Sequence, residues 1–117
     1  MKPAAFNYAK PSSVEEVLGL LSEYGDEATI LAGGQSLIPT MNMRLSAPAL
    51  VIDINGLDNL NGISDEGDRL RIGALTRHVE IENSELIASH APLITLAMPS
   101  IAHPAIRNRG TFGGSVA

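Results

Sequence analysis

The sequence contains no cysteine and no tryptophan, and its aromatic residues are two phenylalanines and two tyrosines. Without cysteine, disulfide bonds and thiolate-bound metal sites are excluded within this chain. With so few aromatic side chains, the hydrophobic core has to be built mainly from Leu, Ile, Val, Ala and Met. The composition, 44% hydrophobic and 18% charged, is that of a globular protein and not of a disordered one.

Long apolar runs are also missing. No run approaches the 18 residues of a transmembrane helix, and the opening MKPAAFNYAKPSS lacks the apolar core of a secretory signal. Cytoplasmic residence is therefore the expectation. Basic residues are few, eight against 13 acidic ones, and the resulting net charge of −5 argues against a general nucleic-acid binder. The 117 residues suit one domain or two small subdomains.

Acidic residues are absent from the last 17 positions, 101–117, which contain His103, Arg107 and Arg109. Two interpretations stay open. The arginines solvate a surface loop, or they form a local positive patch for an anionic ligand or a partner protein.

The first half of the chain predicts alternating helices and strands. Ser12 or Ser13 is placed to cap a helix that ends before Gly25. The predicted buried face of that helix has the spacing i, i+3, i+4 and i+7: Val14, Val17, Leu18 and Leu21. A short buried strand over 28–31, a short helix over 37–44 and a second strand over 50–54 complete a small α/β layer with parallel pairing.

The second half predicts a hairpin and further helices. Residues 69–74 alternate polar and apolar side chains, and we expect this strand to pair with the segment around 60–63. Thr76 is the predicted N-cap of a helix containing Val79 and Ile81. A helical pattern over 86–98 is expected to break at Pro92, and the remainder is expected to be a loop.

Two Gly-Gly pairs stand out, in LAGGQSLIP and in GTFGGSVA. Glycines between a strand and a helix leave several backbone N–H groups exposed together, which is a way to bind phosphate. Neither pair matches the P-loop or the dinucleotide fingerprint, and a Gly-Gly pair taken alone is more often only a tight turn. The three histidines have no metal-ligand spacing, and no nucleophile stands beside a base. We therefore predict no catalytic side chain and no metal ligand.

The blocks around these glycines resemble one family. They are the Phe6-x-Tyr8-x-x-Pro11 opening, LAGGQSLIPTMNMRLSAPALVIDI, RIGALTRH and IAHPAIRNRGTFGGS. Their order and spacing are similar to those of the FAD-binding medium subunit or domain of the molybdenum hydroxylases, which include aerobic carbon monoxide dehydrogenase and xanthine dehydrogenase. The resemblance covers the whole chain. It implies an α+β FAD-binding fold with an α/β subdomain over 1–56 and a second α+β subdomain over 57–117.

The resemblance also implies which residues touch FAD. One loop would hold the pyrophosphate: Leu31, Ala32, Gly33, Gly34, Gln35, Ser36, Leu37 and Ile38. A second block would contact the cofactor from another side: Thr111, Phe112, Gly113, Gly114 and Ser115. Phe112 stands where the family commonly has Ile or Leu. Ile101 and Ala102 would lie near the flavin, and Thr76 is a weaker candidate for the same place. Two N–H-rich loops would balance the pyrophosphate charge without lysine.

In the family, molybdopterin is bound by a large subunit and two iron–sulfur clusters by a small subunit. Electrons pass from the clusters through FAD to an external acceptor, and the lack of cysteine here agrees with clusters bound in another chain. The family's FAD domain continues beyond the second Gly-Gly block, so we expect this chain to be an N-terminal portion. Two alternatives remain: a cofactor-free fragment that acts only through protein–protein contact, and a stand-alone flavoprotein oxidoreductase.

Overall fold

The computed structural model describes residues 1–117, which form two compact units, Met1–Asp58 and Asn59–Ala117. From the sequence we expected the division after residue 56. In the first unit, strands alternate with helices in the order β1 (Asn7–Ala9), α1 (Val14–Tyr24), β2 (Ala28–Leu31), α2 (Leu37–Asn42) and β3 (Leu50–Asp53). A single 3₁₀ turn, Gly25–Glu27, connects α1 to β2.

The sheet of the first unit has the order β1-β3-β2, and both of its pairings are parallel, as predicted. Asn7 pairs with Leu50, and Ala28 pairs with the same Leu50 from the other side. Every residue of β3 is buried, as expected for a central parallel strand. Val17 of α1 and Met41 of α2 complete this core.

Helix α1 begins and ends at the residues that the sequence indicated. The Ser13 hydroxyl accepts a hydrogen bond from the backbone N–H of Glu16 at 3.2 Å, and Gly25 follows the helix with φ of +55°. The predicted buried face is wrong in one position. Leu18 is 59% exposed because the inward face centres on Val17, which places the next residue toward solvent.

The second unit begins with a 3₁₀ turn, Asp58–Leu60, and an antiparallel hairpin of β4 (Ile63–Asp65) and β5 (Leu70–Ile72). The pairing extends back to Leu60, whose carbonyl accepts from the N–H of Leu75 at 2.7 Å. Five helices and a 3₁₀ turn follow: α3 (His78–Glu82), α4 (Glu85–His90), α5 (Pro92–Ala97), the turn Met98–Ser100, α6 (Pro104–Arg107) and α7 (Phe112–Val116). Ile81, Ile87 and Met98 form the buried centre of this unit.

Two local predictions for the second unit are wrong. Arg77, and not Thr76, occupies the N-cap position of α3, because the Thr76 hydroxyl is engaged with the backbone of Gly62 in the interior. The segment after residue 100 is not a loop, since it contains α6 and α7. Pro104 provides the first residue of α6, and the Thr111 hydroxyl caps α7.

The helices of both units are short. The longest, α1, has 11 residues, and no helix has the length and apolar character needed to cross a membrane. Isolated helices of this length are marginal in water, so their stability here comes from packing against the sheets and against each other.

Candidate functional site

The first Gly-Gly loop connects the end of β2 to the beginning of α2, at the edge of the sheet where parallel strands end. Ligands of α/β sheets bind at this edge. Gly34 has φ of +77°, a conformation that other residues rarely adopt. A Cβ atom at this position would lie 3.2 Å from both Ile38 Cγ1 and Leu31 Cδ1, so glycine is required by conformation and favoured by space.

The backbone N–H groups of this loop have no acceptor within the chain. None of the six N–H groups of residues 32–37 donates to a backbone or side-chain oxygen, whereas the next one, that of Ile38, donates to the Gly34 carbonyl at 3.1 Å. A series of unpaired donors on a glycine-containing turn is the donor set that binds phosphate and other anions. Ser36, which is exposed, adds a hydroxyl to this set.

The carbonyl groups at the beginning of the loop are, by contrast, occupied. The Leu31 carbonyl accepts from the N–H of Ile54 at 3.0 Å, and the Gly33 carbonyl accepts from the Gln35 side chain at 3.3 Å. The Ala32 carbonyl accepts from Asn55 Nδ2 at 2.8 Å. Because these acceptors are used and the donors are open, the loop offers positive partial charge to a ligand.

A polar cluster supports the loop from the end of β3. The Asp53 carboxylate is 8% exposed and accepts from the Tyr8 hydroxyl, from the backbone N–H of Asn55 at 2.9 Å and from Asn55 Nδ2 at 2.7 Å. Burial alone raises the pKa of Asp53, but these hydrogen bonds and the charge of Lys10 hold it below its ordinary value. Asp53 is therefore ionised at neutral pH. The same hydrogen bond raises the pKa of Tyr8.

The second Gly-Gly block has a different character. Thr111 is buried and caps α7, its hydroxyl accepting from the N–H of Gly114 at 3.1 Å. The N–H of Phe112 donates to the Thr76 carbonyl at 2.9 Å, and that of Gly113 donates to the Ala74 carbonyl at 2.8 Å. The expectation of a second N–H-rich loop is therefore wrong, because the donors of this block complete the backbone pairing of the second unit.

The glycines of this block allow close packing instead. A Cβ atom on Gly113 would lie 2.7 Å from the Ala74 Cβ and 2.9 Å from its carbonyl oxygen. A Cβ atom on Gly114 would lie 2.7 Å from the Thr111 hydroxyl oxygen. All three distances are shorter than real Cβ contacts, so a side chain on Gly113 would push α7 away from Ala74, and one on Gly114 would displace the Thr111 cap. Gly114 and Ser115 remain exposed on the outer side.

His78 is a buried polar residue beside this block. Its Nε2 lies 2.9 Å from the Ser115 hydroxyl, and its backbone N–H donates to the Gly110 carbonyl at 3.0 Å. Burial lowers the pKa of the imidazole below its ordinary value, and interaction with the Thr111 backbone offsets only part of that effect. His78 is therefore neutral at pH 7 and holds the Ser115 side chain in place.

The remaining predicted residues lie in the second unit. Thr76 is fully buried, and its hydroxyl both donates to and accepts from the backbone of Gly62. Ile101 packs against the core of this unit, whereas Ala102 is exposed and has φ of +48°. The Arg107 guanidinium donates to the Ile101 carbonyl at 2.9 Å and pairs with Glu82 at 3.2 Å.

Arg107 thus fits neither interpretation of the basic segment, since it is directed into its own unit and fixes the turn at Ile101 and Ala102. Arg109 is exposed, and its carbonyl accepts from Arg77 Nη1 at 3.1 Å. No group of three or more His, Asp or Glu side chains is arranged to hold a metal ion.

The structure brings the first-loop residues together in the first unit and the second-block residues together in the second. Contact of any of them with a cofactor stays a prediction. Sequence reasoning missed Asp53 and Asn55, since the sequence indicated only a strand over 50–54 and gave no role to the residue after it. The signal available for them was a polar pair at the carboxyl end of a buried parallel strand, next to the glycine loop.

An open row of N–H donors at the end of a parallel strand is typical of a domain that binds an anionic cofactor. Residues 4–117 match the family described as the FAD binding domain in molybdopterin dehydrogenase, and the chain belongs to that family. The resemblance and the α+β fold class predicted from the sequence are thereby confirmed.

Several characterised proteins are similar to the chain. The caffeine dehydrogenase subunit beta of Pseudomonas sp. (strain CBB1) is 47% identical over 99% of this chain and 39% of its own length. The carbon monoxide dehydrogenase medium chain of Hydrogenophaga pseudoflava is 43% identical over 100% of this chain and 41% of its own length.

Solved structures agree with these relatives. Carbon monoxide dehydrogenase from Hydrogenophaga pseudoflava superposes with a TM-score of 0.96 at 42% identity, over 99% of this chain and 40% of that one. Quinoline 2-oxidoreductase from Pseudomonas putida 86 superposes with a TM-score of 0.94 at 38% identity, over 100% of this chain and 41% of that one. The chain therefore spans about 40% of the length of the relatives that it matches.

Proposed function

We propose that this chain is part of the FAD-binding medium subunit of a molybdenum hydroxylase complex. In that complex, electrons would pass from iron–sulfur clusters of a small subunit through FAD to an external acceptor, and substrate would be oxidised on a large molybdopterin subunit. The observation that carries the proposal is the row of open N–H donors over residues 32–37, in a chain that belongs to an FAD-binding family.

The residues of the first loop fit the pyrophosphate of FAD. The group carries two negative charges, and the loop presents N–H donors without any acidic side chain or lysine. Gly34 lets phosphate oxygens approach the backbone closely, since a Cβ atom is absent where φ is positive. Hydrogen bonds from backbone N–H groups to a charged acceptor are among the stronger ones in proteins.

In the second unit, we propose that the exposed end of the second block, with Ile101 and Ala102, contacts the rest of the cofactor. Ser115 offers a hydroxyl whose direction is fixed by His78. The turn at Ala102 is held by Arg107 through the Ile101 carbonyl. His78 and Arg107 thus position these two groups before the cofactor binds. This reduces the conformational entropy that is lost on binding.

When bound, FAD supplies the redox chemistry, accepting electrons and passing them to the acceptor. The chain's own part is to bind and orient it. The open N–H groups hold the pyrophosphate, and the neutral His78 keeps its hydrogen bond to Ser115 without adding charge. The second block contributes packing and shape rather than backbone donors.

The proposal is tested on the protein expressed from its intact gene together with the neighbouring genes. We expect the purified protein to contain flavin with an oxidised-flavin absorption spectrum, and to retain it with subunits that bind iron–sulfur clusters and molybdopterin. A protein that takes up no FAD on titration contradicts the cofactor assignment. A flavoprotein that purifies alone and reduces an acceptor without partners contradicts the assignment of the complex.

A further inference from the structure

Asn55 is a half-buried side chain at the end of β3, and both hydrogens of its amide nitrogen are used. Nδ2 donates to the Ala32 carbonyl at 2.8 Å and to Asp53 Oδ1 at 2.7 Å. Only the nitrogen can serve two oxygen acceptors in this way, so these contacts define which way the amide faces. The first contact joins the segment directly after β3 to the beginning of the glycine loop.

The bond to Ala32 sets the direction of a neighbouring donor. All peptide bonds in the chain are trans, so the Ala32 carbonyl and the Gly33 N–H belong to one rigid plane and point in opposite directions. A carbonyl held toward Asn55 therefore directs the Gly33 N–H away from Asn55, and that N–H has no acceptor within the chain. The Gln35 amide acts in the same way on the next peptide, because it holds the Gly33 carbonyl.

Asn55 is itself held in place. Asp53 Oδ1 accepts from both the backbone N–H and the amide of Asn55, and the other carboxylate oxygen accepts from the Tyr8 hydroxyl. Asp53 is ionised and nearly buried, so these hydrogen bonds are charge-assisted and hard to replace with water. The result is a chain of contacts from β1 through β3 to the loop.

We propose that Asn55 is a positioning residue that aims the first N–H donors of the loop at a phosphate group, with Asp53 holding Asn55. This inference rests on the proposed function, since it presumes that the loop binds the FAD pyrophosphate. It goes further in assigning the orientation of the loop to residues that follow it in the chain, Asn55 lying 23 positions after Ala32.

The test compares Asn55→Ala with wild type in the protein expressed from its intact gene, freed of flavin. Dissociation constants are measured for FAD, for ADP and for riboflavin, which lacks phosphate. We expect Asn55→Ala to raise the dissociation constants for FAD and ADP by about tenfold or more, since a misdirected donor loses a hydrogen bond to a charged group. Riboflavin binding stays unchanged. Asn42→Ala is the matched control, because Asn42 is half-buried in the same unit and makes no hydrogen bond to the loop.

A second pair of variants separates positioning from general stability. Asp53→Asn keeps an oxygen that accepts from Asn55, and we expect it to retain most of the FAD affinity, whereas Asp53→Ala loses that acceptor and loses affinity as Asn55→Ala does. Unchanged FAD and ADP affinity in Asn55→Ala overturns the inference, and so does an equal loss for riboflavin. If wild type binds ADP but not FAD, the proposed function fails and the ADP measurement still decides the role of Asn55.

Discussion

Replacing Gly34 by alanine tests the structural reason for the glycine in the first loop. The residue has φ of +77°, and the left-handed conformation costs a residue with a Cβ atom about 1–2 kcal/mol. The new Cβ would also lie 3.2 Å from Ile38 Cγ1 and Leu31 Cδ1. Moving these side-chain ends off their preferred rotamers adds about 0.5–1.5 kcal/mol. We therefore expect Gly34→Ala to lower the free energy of unfolding by about 2 kcal/mol.

Gly67→Ala is the matched control, because Gly67 has a similar φ of +87° in the β4–β5 turn but open space around its Cβ position. Gly67→Ala should lower the free energy of unfolding by the conformational strain alone, about 1–2 kcal/mol. Urea unfolding followed by circular dichroism measures both variants. The difference between them is then the cost of the contacts with Ile38 and Leu31.

The same pair of variants reports on the site. We expect Gly34→Ala to weaken FAD binding by about tenfold or more, because a shifted loop loses at least one N–H contact to the pyrophosphate. Gly67→Ala should leave FAD affinity unchanged. Flavin fluorescence titration of the flavin-free protein measures this. Equal losses of stability in the two variants together with unchanged FAD affinity would refute the reasoning and make the loop an ordinary turn.

Three further outcomes are expected. Ser13→Ala should destabilise the chain by about 1 kcal/mol in urea unfolding, because it removes the cap of α1. Gly113→Ala should cost about 1–3 kcal/mol, because its Cβ would overlap the Ala74 backbone. His78→Gln should abolish the part of the acid destabilisation that sets in below pH 6.5, the ordinary pKa of histidine. A histidine whose folded-state pKa is lowered binds fewer protons in the folded state than in the unfolded state. The wild type therefore loses stability as the pH falls through that window.

Each of these three outcomes has a control in the chain. Ser12→Ala removes an exposed hydroxyl that bonds only to the Glu16 side chain, and a loss as large as that of Ser13→Ala would contradict the cap. Gly19→Ala introduces a Cβ into open space in the middle of α1 and should stabilise by about 1 kcal/mol. His103→Gln replaces an exposed histidine. If it changes the pH dependence of stability as much as His78→Gln does, the effect does not come from the burial of His78.

Local patterns predicted most of the first unit correctly. Capping residues, a terminal glycine and short apolar runs act over a few residues, so the ends of α1 and the bounds of β2 follow from the sequence. The parallel sheet also followed, because the strands alternate with helices. The exposed Leu18 did not follow, since a one-residue rotation of the buried face is set by the sheet against which the helix packs.

The second unit was harder to predict for a physical reason. Thr76 has the residue type of an N-cap, but Gly62, 14 positions earlier, provides both a donor and an acceptor for its hydroxyl. The segment after residue 100 is rich in turn residues, and its two helices begin at residues that also occur in loops, His103 before Pro104 and Thr111. Non-local hydrogen bonds contribute to both cases, from the Thr76 hydroxyl to Gly62 and from the N–H groups of Phe112 and Gly113 at the beginning of α7.

In the candidate site too, local features could be predicted from the sequence and non-local hydrogen bonds could not. The first glycine loop was recognisable from the sequence because a strand leads into it and a helix leaves it. The second glycine pair looked similar in composition, yet the N–H groups of Phe112 and Gly113 donate to the carbonyls of Thr76 and Ala74, about 40 residues earlier in the chain. Composition alone cannot distinguish a donor that is open from one that is paired at such a separation.

The order β1-β3-β2 has a consequence for how the first unit is made. Neither β1 nor β2 has a strand partner until β3 is present, because both pair only with β3. On the ribosome, the loop over residues 32–37 is synthesised well before Asp53 and Asn55, which hold its first peptide. A nascent chain stopped before residue 50 would therefore have the glycines without the sheet that shapes them. The glycine loop is therefore completed only by residues that follow it in the chain.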